Sequence, residues 1–275
     1  MVLIGLLLGC GAGETDSSEV TLFEMGYVEV ATGNSHVCAL NEMSNLKCWG
    51  VDLMGQATPP IEPFVAISAG GYHSCGLRES GSAMCWGNDS HQQGLTPASN
   101  FTSLSSGGMH NCGVREGGDL ECWGDNTNNQ SIPPTGFHSA VSAGGTHNCA
   151  IATGGALRCW GYDYLDLLQP PAGSFVVVAS GLYHNCAIDI QEEISCWGDN
   201  SYGQVEAPAG SFTHICAGGY HSCAIANNGE LECWGWNDAG QSSPPDGSFV
   251  DLDCGGNQSC AIDESGQVQC WGMSF

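Results

Sequence analysis

The hydrophobic and polar positions of this chain repeat with one long period that persists almost from end to end. The stretch Gly219-Tyr220-His221-Ser222-Cys223-Ala224-Ile225, followed by Leu231-Glu232-Cys233-Trp234-Gly235, returns seven times. Its first cysteines are Cys38, Cys75, Cys112, Cys149, Cys186, Cys223 and Cys260, each 37 residues after the last. Its second cysteines, Cys48, Cys85, Cys122, Cys159, Cys196, Cys233 and Cys270, keep the same spacing. Self-similarity of this size marks one supersecondary unit repeated in space, each copy needing its neighbours to bury a core.

Three strand-like runs are legible in each unit. The first opens on an aromatic residue, Tyr27, Phe64, Phe101, Phe175, Phe212 or Phe249, with Phe137 one place early in the fourth unit. The second and third runs, such as His73-Ser74-Cys75-Gly76-Leu77 and Ala83-Met84-Cys85-Trp86-Gly87, are joined by a tight connection. Gly81, Gly118, Gly155, Gly229 and Gly266 share one position there, the place for a left-handed turn residue. Residues equidistant from a hairpin turn face one another, so pairing Cys75 with Cys85 puts Leu77 opposite Ala83. The same offset pairs Leu40 with Leu46, Val114 with Leu120, Ile151 with Leu157, Ile188 with Ile194, Ile225 with Leu231, and Ile262 with Val268. All are apolar, and the opposite face carries a small residue and a tryptophan in every unit. Both faces are therefore expected to be buried between neighbouring sheets. Each tail is turn-rich and ends near proline, which suits an outer edge. The predicted fold is all-β, a seven-bladed propeller with 37-residue repeats and one hairpin disulfide per blade.

Charge narrows the partners. Four basic residues face 29 acidic ones, a formal charge of −25, so nucleic acid and anionic bilayers are repelled. Seventeen cysteines suit an oxidising compartment. The run from Met1 ends in Leu7-Leu8-Gly9-Cys10, which resembles a bacterial lipoprotein signal with Cys10 as the lipidated residue. The domain reading is accordingly a signal over 1–10, a flexible tether over 11–18 and a propeller over 19–275. The segment 19–25 is expected to complete the last blade and close the ring. The chain is predicted to be exported, at an outer membrane or cell surface or otherwise secreted, touching membrane through lipid alone.

The recurring Gly-Gly-Tyr-His-Ser-Cys-Ala-Ile, the Gly-x-Leu-x-Cys-Trp-Gly and the Gly-Gln before proline resemble the repeat of the regulator of chromosome condensation family, a seven-bladed propeller. The short period and the Gly-Gln-x-x-x-Pro tail are similar to the secreted propeller-type β-lactamase inhibitory protein. The paired cysteines are similar to those of crinkly-type receptor-kinase ectodomains. The likeness covers Tyr27 to Phe275, with Gly-Gln missing from repeats two to four and Gln258 standing where the others have histidine. It implies the fold strongly, but one scaffold hosts nucleotide exchange, enzyme inhibition and receptor recognition.

The paired cysteines are read as hairpin disulfides, with a His-x-Cys…Cys zinc site in each blade as the chemical alternative. Cys216 and Cys254 are expected to bridge adjacent blades. The column His36, His73, His110, His147, His184 and His221 is read as structural, hydrogen-bonding the glycine-rich backbone beside it. No metal or other cofactor is expected; Asp125-Asn126 and Asp199-Asn200 lack the ligand density of a calcium loop. Function is sought where the repeats differ. Three before the first cysteine stand Tyr72, Tyr183 and Tyr220 among others; after Trp-Gly stand Tyr162 and Trp236; and the fourth tail, Tyr162-Asp163-Tyr164-Leu165-Asp166-Leu167-Leu168, is apolar for a loop. These residues are the candidate binding site of a monomeric, non-enzymatic module for a protein or glycan ligand. A hydrolase with acidic residues at a channel mouth is the second reading, and nucleotide exchange, disfavoured by the cysteines, the third.

Overall fold

The computed structural model describes residues 26–273, and no helix occurs among them. The expected signal, the lipidation at Cys10, the tether and the closing segment 19–25 lie outside the described residues. Seven antiparallel three-stranded sheets follow one another along the chain. Their inner strands are Tyr27–Thr32, Ala66–Ala69, Phe101–Ser106, His138–Ala143, Phe175–Ser180, Phe212–Ala217 and Phe249–Cys254. The middle strands are His36–Asn41, His73–Leu77, His110–Arg115, His147–Ala152, His184–Asp189, His221–Ala226 and Gln258–Asp263. The outer strands are Leu46–Gly50, Ala83–Gly87, Leu120–Gly124, Leu157–Gly161, Ile194–Gly198, Leu231–Gly235 and Val268–Gly272. Each inner strand contacts the next and the last contacts the first, so the sheets form a closed seven-bladed propeller.

The hairpin register is the one the apolar pattern requires. Each first cysteine lies opposite its second, and every apolar pair derived from the turn is found in register. A disulfide joins each cysteine pair, and an eighth bridge, Cys216–Cys254, links the inner strands of blades six and seven. The turn glycines hold φ between 79° and 91°; Ser44 and Glu192 adopt the same left-handed conformation in blades one and five. In the fourth blade the core position falls on His138, which is buried, whereas Phe137 is 62% exposed. Register decides this, because a one-residue slip would turn every side chain of the strand to the wrong face.

The core lies between blades. The face of blade five with Cys186, Ile188 and Ile194 packs on the face of blade six with Phe212, Ala224 and Trp234. The closing junction is built alike, with Cys260 and Ile262 of blade seven against Val30, Val37 and Trp49 of blade one.

A polar relay crosses the same junctions. The Nε2–H groups of His73, His110 and His147 donate to the Oδ1 atoms of Asn111, Asn148 and Asn185 in the following blade, at 2.7–2.8 Å. His36, His184 and His221 donate to the hydroxyls of Ser74, Ser222 and Ser259 at 2.8 Å. Each serine or asparagine in turn donates to a tail carbonyl, that of Gln56, Gln93, Gln130, Leu167, Gln204 or Gln241. That carbonyl also accepts the indole N–H of the blade's tryptophan at 2.9–3.0 Å. The histidines therefore bond the next blade's side chain, and not the glycine backbone that the sequence pattern had led us to expect. The glycine beside each ring serves close approach instead: a Cβ on Gly33, Gly70, Gly107, Gly144, Gly181 or Gly218 would strike both the imidazole and the next blade's glycine carbonyl.

Where the ring closes, Gln258 replaces histidine and donates to the carbonyls of Gly33 and His36 at 3.3–3.4 Å. The Tyr27 N–H meets the Gly266 carbonyl at 2.8 Å, as the Phe101 N–H meets that of Gly81 at 2.7 Å. Around the channel, one slot between inner strands is filled in different ways. The hydroxyls of Ser68, Ser105 and Ser142 accept the N–H of Ser106, Ala143 and Ser180. Between blades six and seven the slot holds the Cys216–Cys254 bridge. Between blades seven and one the Asp253 carboxylate accepts the Thr32 N–H at 2.6 Å, and Asp251 accepts that of Val30 at 2.8 Å. Glu29 accepts the Ile67 N–H from blade two. Poor solvation in the channel, and then the neighbouring carboxylates, push Asp253 and Glu29 up to about 7.

Burial holds the His184 imidazole down to about 3 against an ordinary 6.5. Protonation thus favours the unfolded chain, and stability present at neutral pH is lost as pH falls from 6.5 toward 3. His184→Gln, which adopts the residue blade seven uses, is expected to flatten the decline in Tm over that interval, measured by thermal melts at stepped pH. Asp253 shows the opposite sign, because its raised value favours the protonated folded form and the cost of ionising it grows as pH rises from 3.8 to about 7. Asp253→Ser, adopting the residue of blades two to four, is expected to gain stability over the wild type progressively across that window and hold the gain above it. A constant difference in Tm at all pH values would refute this.

Candidate binding face

The two positions singled out by variation lie together in every blade. The residue before the middle strand and the residue after the outer strand share one edge, because the first residue of one strand pairs with the last of the other, as His221 does with Gly235. A backbone hydrogen bond ties them: Asn88 N–H to the Tyr72 carbonyl, Tyr162 to Thr146, Asp199 to Tyr183, and Trp236 to Tyr220, at 2.8–3.0 Å. One face of the propeller therefore collects the variable residues, while the opposite face collects the hairpin turns.

On that face blades four to six carry a contiguous strip of rings. Tyr162 stacks on Tyr164 with centroids 6.4 Å apart and planes within 7°. Tyr164 meets Tyr183 edge-on at 6.2 Å, and Tyr183 stacks on Tyr220 at 5.0 Å. Tyr202 and Trp236 complete the strip, Tyr202 at 5.2 Å from Tyr220 and 6.0 Å from Trp236, with Trp236 at 6.3 Å from Tyr220. Exposure is 51% for Tyr202, 47% for Tyr162, 43% for Tyr164 and 37% for Tyr183. Partial burial, then the neighbouring Tyr183, raises the Tyr220 phenol to about 12, so it stays protonated. Five of the six sequence candidates, Tyr162, Tyr164, Tyr183, Tyr220 and Trp236, thus stand in one strip. Tyr72 occupies the same register position in blade two, is exposed, and among the described residues stacks on none of these rings.

Tyr202 was not among the candidates, and the tail explains why. A buried glutamine, Gln56, Gln93, Gln130, Gln204 or Gln241, uses its Oε1 to accept the N–H two residues earlier, that of Met54, His91, Asn128, Tyr202 or Ala239. The loop folds back on this bond and raises the earlier residue on the binding face. The glutamine column was the available signal. It continues through repeats two and three, where only the preceding glycine is replaced, by Gln92 and Asn129 in left-handed conformation at φ 65° and 62°. In repeat four Leu167, 1% exposed, fills the glutamine's place, which accounts for the apolar tail.

The same column shows what the loop carboxylates do. Gln130 Nε2 donates to Asp125 and Gln204 Nε2 to Asp199, at 2.8 and 3.0 Å. In blade two Gln93 Nε2 reaches Asn88 Oδ1 and Met109 Sδ, both on the binding face. In blade six the corresponding residue is Trp236, which offers no acceptor, and the buried Gln241 Nε2 has no partner. The channel inside the ring encloses about 190 Å³ and is lined by inner-strand residues including Ser68, Ser105, Ser142 and Asp253. The cysteines are consumed in disulfides, so the grouping of His221 with Cys223 and Cys254 offers no free thiolate.

The regulator of chromosome condensation (RCC1) repeat matches residues 64–93, 101–130, 139–164, 175–204, 212–241 and 249–275, more than half the chain. The chain belongs to the RCC1 repeat family. Blade one lies outside the matched residues yet has the same strand order and hairpin disulfide as the six matched blades. No curated protein sequence matches the chain. Among solved structures, this RCC1 repeat protein is similar to the entire ectodomain of the receptor kinase CR4 from Physcomitrella patens, at 25% identity over 90% of this chain and 74% of that one, with TM-score 0.78. It is similar to the CRINKLY ectodomain of the receptor kinase ACR4 from Arabidopsis thaliana, at 26% identity, 91% and 96% coverage and TM-score 0.75. It shares its fold with Prp20p of Saccharomyces cerevisiae, described with its binding to Gsp1p and histones, at 17% identity, 90% and 83% coverage and TM-score 0.75.

Proposed function

We propose that this RCC1 repeat protein is an exported binding module, held at the cell envelope through lipid on Cys10, that captures a protein or glycan partner on the aromatic strip. The observation that carries the reading is the contiguity of six rings from blades four to six at positions the scaffold does not need. Exposed tyrosine and tryptophan clustered in this way are typical interface anchors, since each ring offers large area for little lost rotamer freedom. Export is supported by the eight disulfides, by the lipobox-like Leu7-Leu8-Gly9-Cys10 and by the likeness to two receptor ectodomains. The module acts as a monomer without cofactor, and its acidity keeps nucleic acid away.

The hydrolase reading has its carboxylates at the channel, but Glu29, Asp251 and Asp253 commit oxygens to backbone N–H groups of neighbouring strands. Their geometry serves the closing of the ring. Nucleotide exchange fits poorly with a disulfide in every blade, which belongs to an oxidising compartment.

Replacing Tyr162, Tyr164 and Trp236 together by alanine is expected to reduce capture of the partner from the host's envelope fraction at least tenfold, with Tm within about 4 °C of wild type. Undiminished capture by a folded variant would sink this face as the site. Intact mass of the protein from that fraction is expected to show loss of residues 1–9, lipid on Cys10, and sixteen cysteines open to alkylation after reduction alone. An unprocessed chain with free thiols would overturn the export reading.

A further inference from the structure

The strip has an electrostatic setting that selects among its possible ligands. All four basic residues of the chain, Lys47, Arg78, Arg115 and Arg158, precede it, and residues 159–275 contain no lysine or arginine. Carboxylates are interleaved with the rings instead. Asp163 lies between Tyr162 and Tyr164 in the chain, Asp166 follows, and Asp238 comes two residues after Trp236. Asp199 hydrogen-bonds through its N–H to the Tyr183 carbonyl, and its charge acts on the Tyr220 phenol. The faces of aromatic rings carry negative potential, and these carboxylates add to it, with Arg158 of blade four the one basic residue near them in sequence. A guanidinium or ammonium group laid on the strip is attracted by both, whereas a neutral sugar gains nothing from the net charge.

Resting on the binding face proposed above, we propose that the strip recognises an extended, arginine- or lysine-rich segment of a partner polypeptide. Its cationic groups lie over Tyr162, Tyr164, Tyr183, Tyr202, Tyr220 and Trp236. Linked rings offer room for about six residues of extended chain.

The test uses the purified disulfide-bonded protein and three defined probes followed by calorimetry: a peptide of alternating arginine and glycine, its citrulline counterpart, and a neutral β-linked hexasaccharide. The arginine peptide is expected to bind, the citrulline peptide at least tenfold more weakly, and the hexasaccharide not at all. Tyr164→Ala with Tyr202→Ala, both at exposed rings, is expected to weaken the arginine peptide at least tenfold without loss of Tm. Equal binding of the arginine peptide to wild type and to the ring variant would mean attraction by bulk charge and would overturn the proposal. Equal binding of the citrulline peptide, or failure of the arginine peptide to bind, would overturn it too. Ring-dependent binding of the hexasaccharide alone would discard the cationic ligand and keep the face, whereas envelope capture unaffected by ring removal would discard the face itself.

Discussion

The hydrogen-bond relay that leaves a histidine in one blade, enters a serine or asparagine of the next, and ends on a tail carbonyl shared with a tryptophan is the constraint on which the rest of the molecule depends. The histidines and their serine or asparagine partners are buried, where losing one of these bonds carries a desolvation cost, and the bonds form only when two blades and the tail between them are in place. Burial keeps the imidazoles neutral, and asparagine Oδ1 fixes the proton on Nε2 because the asparagine amide is already donating to the tail. The tail is therefore pinned at one carbonyl, its glutamine folds the loop back from there, and the neighbouring residues emerge on a single face. Scaffold and site are two ends of the same set of bonds.

Closure of the ring follows the same economy of parts. A closed ring of sheets leaves few free edges, and each junction repeats one apolar sandwich and one backbone contact from hairpin turn to next inner strand. Around the channel the slot between inner strands accepts a hydroxyl, a disulfide or a carboxylate, three chemistries that meet the same need for a link between neighbouring backbones. The carboxylates at the closing junction are thereby drawn into poorly solvated surroundings, which explains their raised proton affinity without a catalytic role.

The aromatic strip arises where relay and tail leave positions free. In blade four, leucine takes the buried place of glutamine and the residue that would have bonded it becomes Tyr162, turned to solvent. In blade six, Trp236 takes the place of the acceptor and the buried Gln241 amide is left unmatched. Both exchanges give up a polar bond inside the loop and gain a ring of the strip, exposed for Tyr162 and half-buried for Trp236, a pattern expected of a surface shaped for contact rather than for stability.

Much of this was legible along the chain. An unbroken 37-residue period, with cysteines and apolar pairs equidistant from a turn, determined the blade count, the hairpin register and the disulfides, because strand pairing has period two and tolerates no slip. Variation against that uniform background pointed to Tyr162, Tyr183, Tyr220 and Trp236, since a position required by every blade is not free to differ. The histidine's true partner and the ring of close-packed glycines were hidden, because both are contacts between blades, 38 residues apart in the relay. Tyr202 was hidden for the same reason, its place on the strip set by the fold-back of its own loop and by rings from other blades. Local pairing is written in sequence spacing; which separate loops come together on one face was decided by the tertiary structure, through the angle at which seven sheets close into a ring.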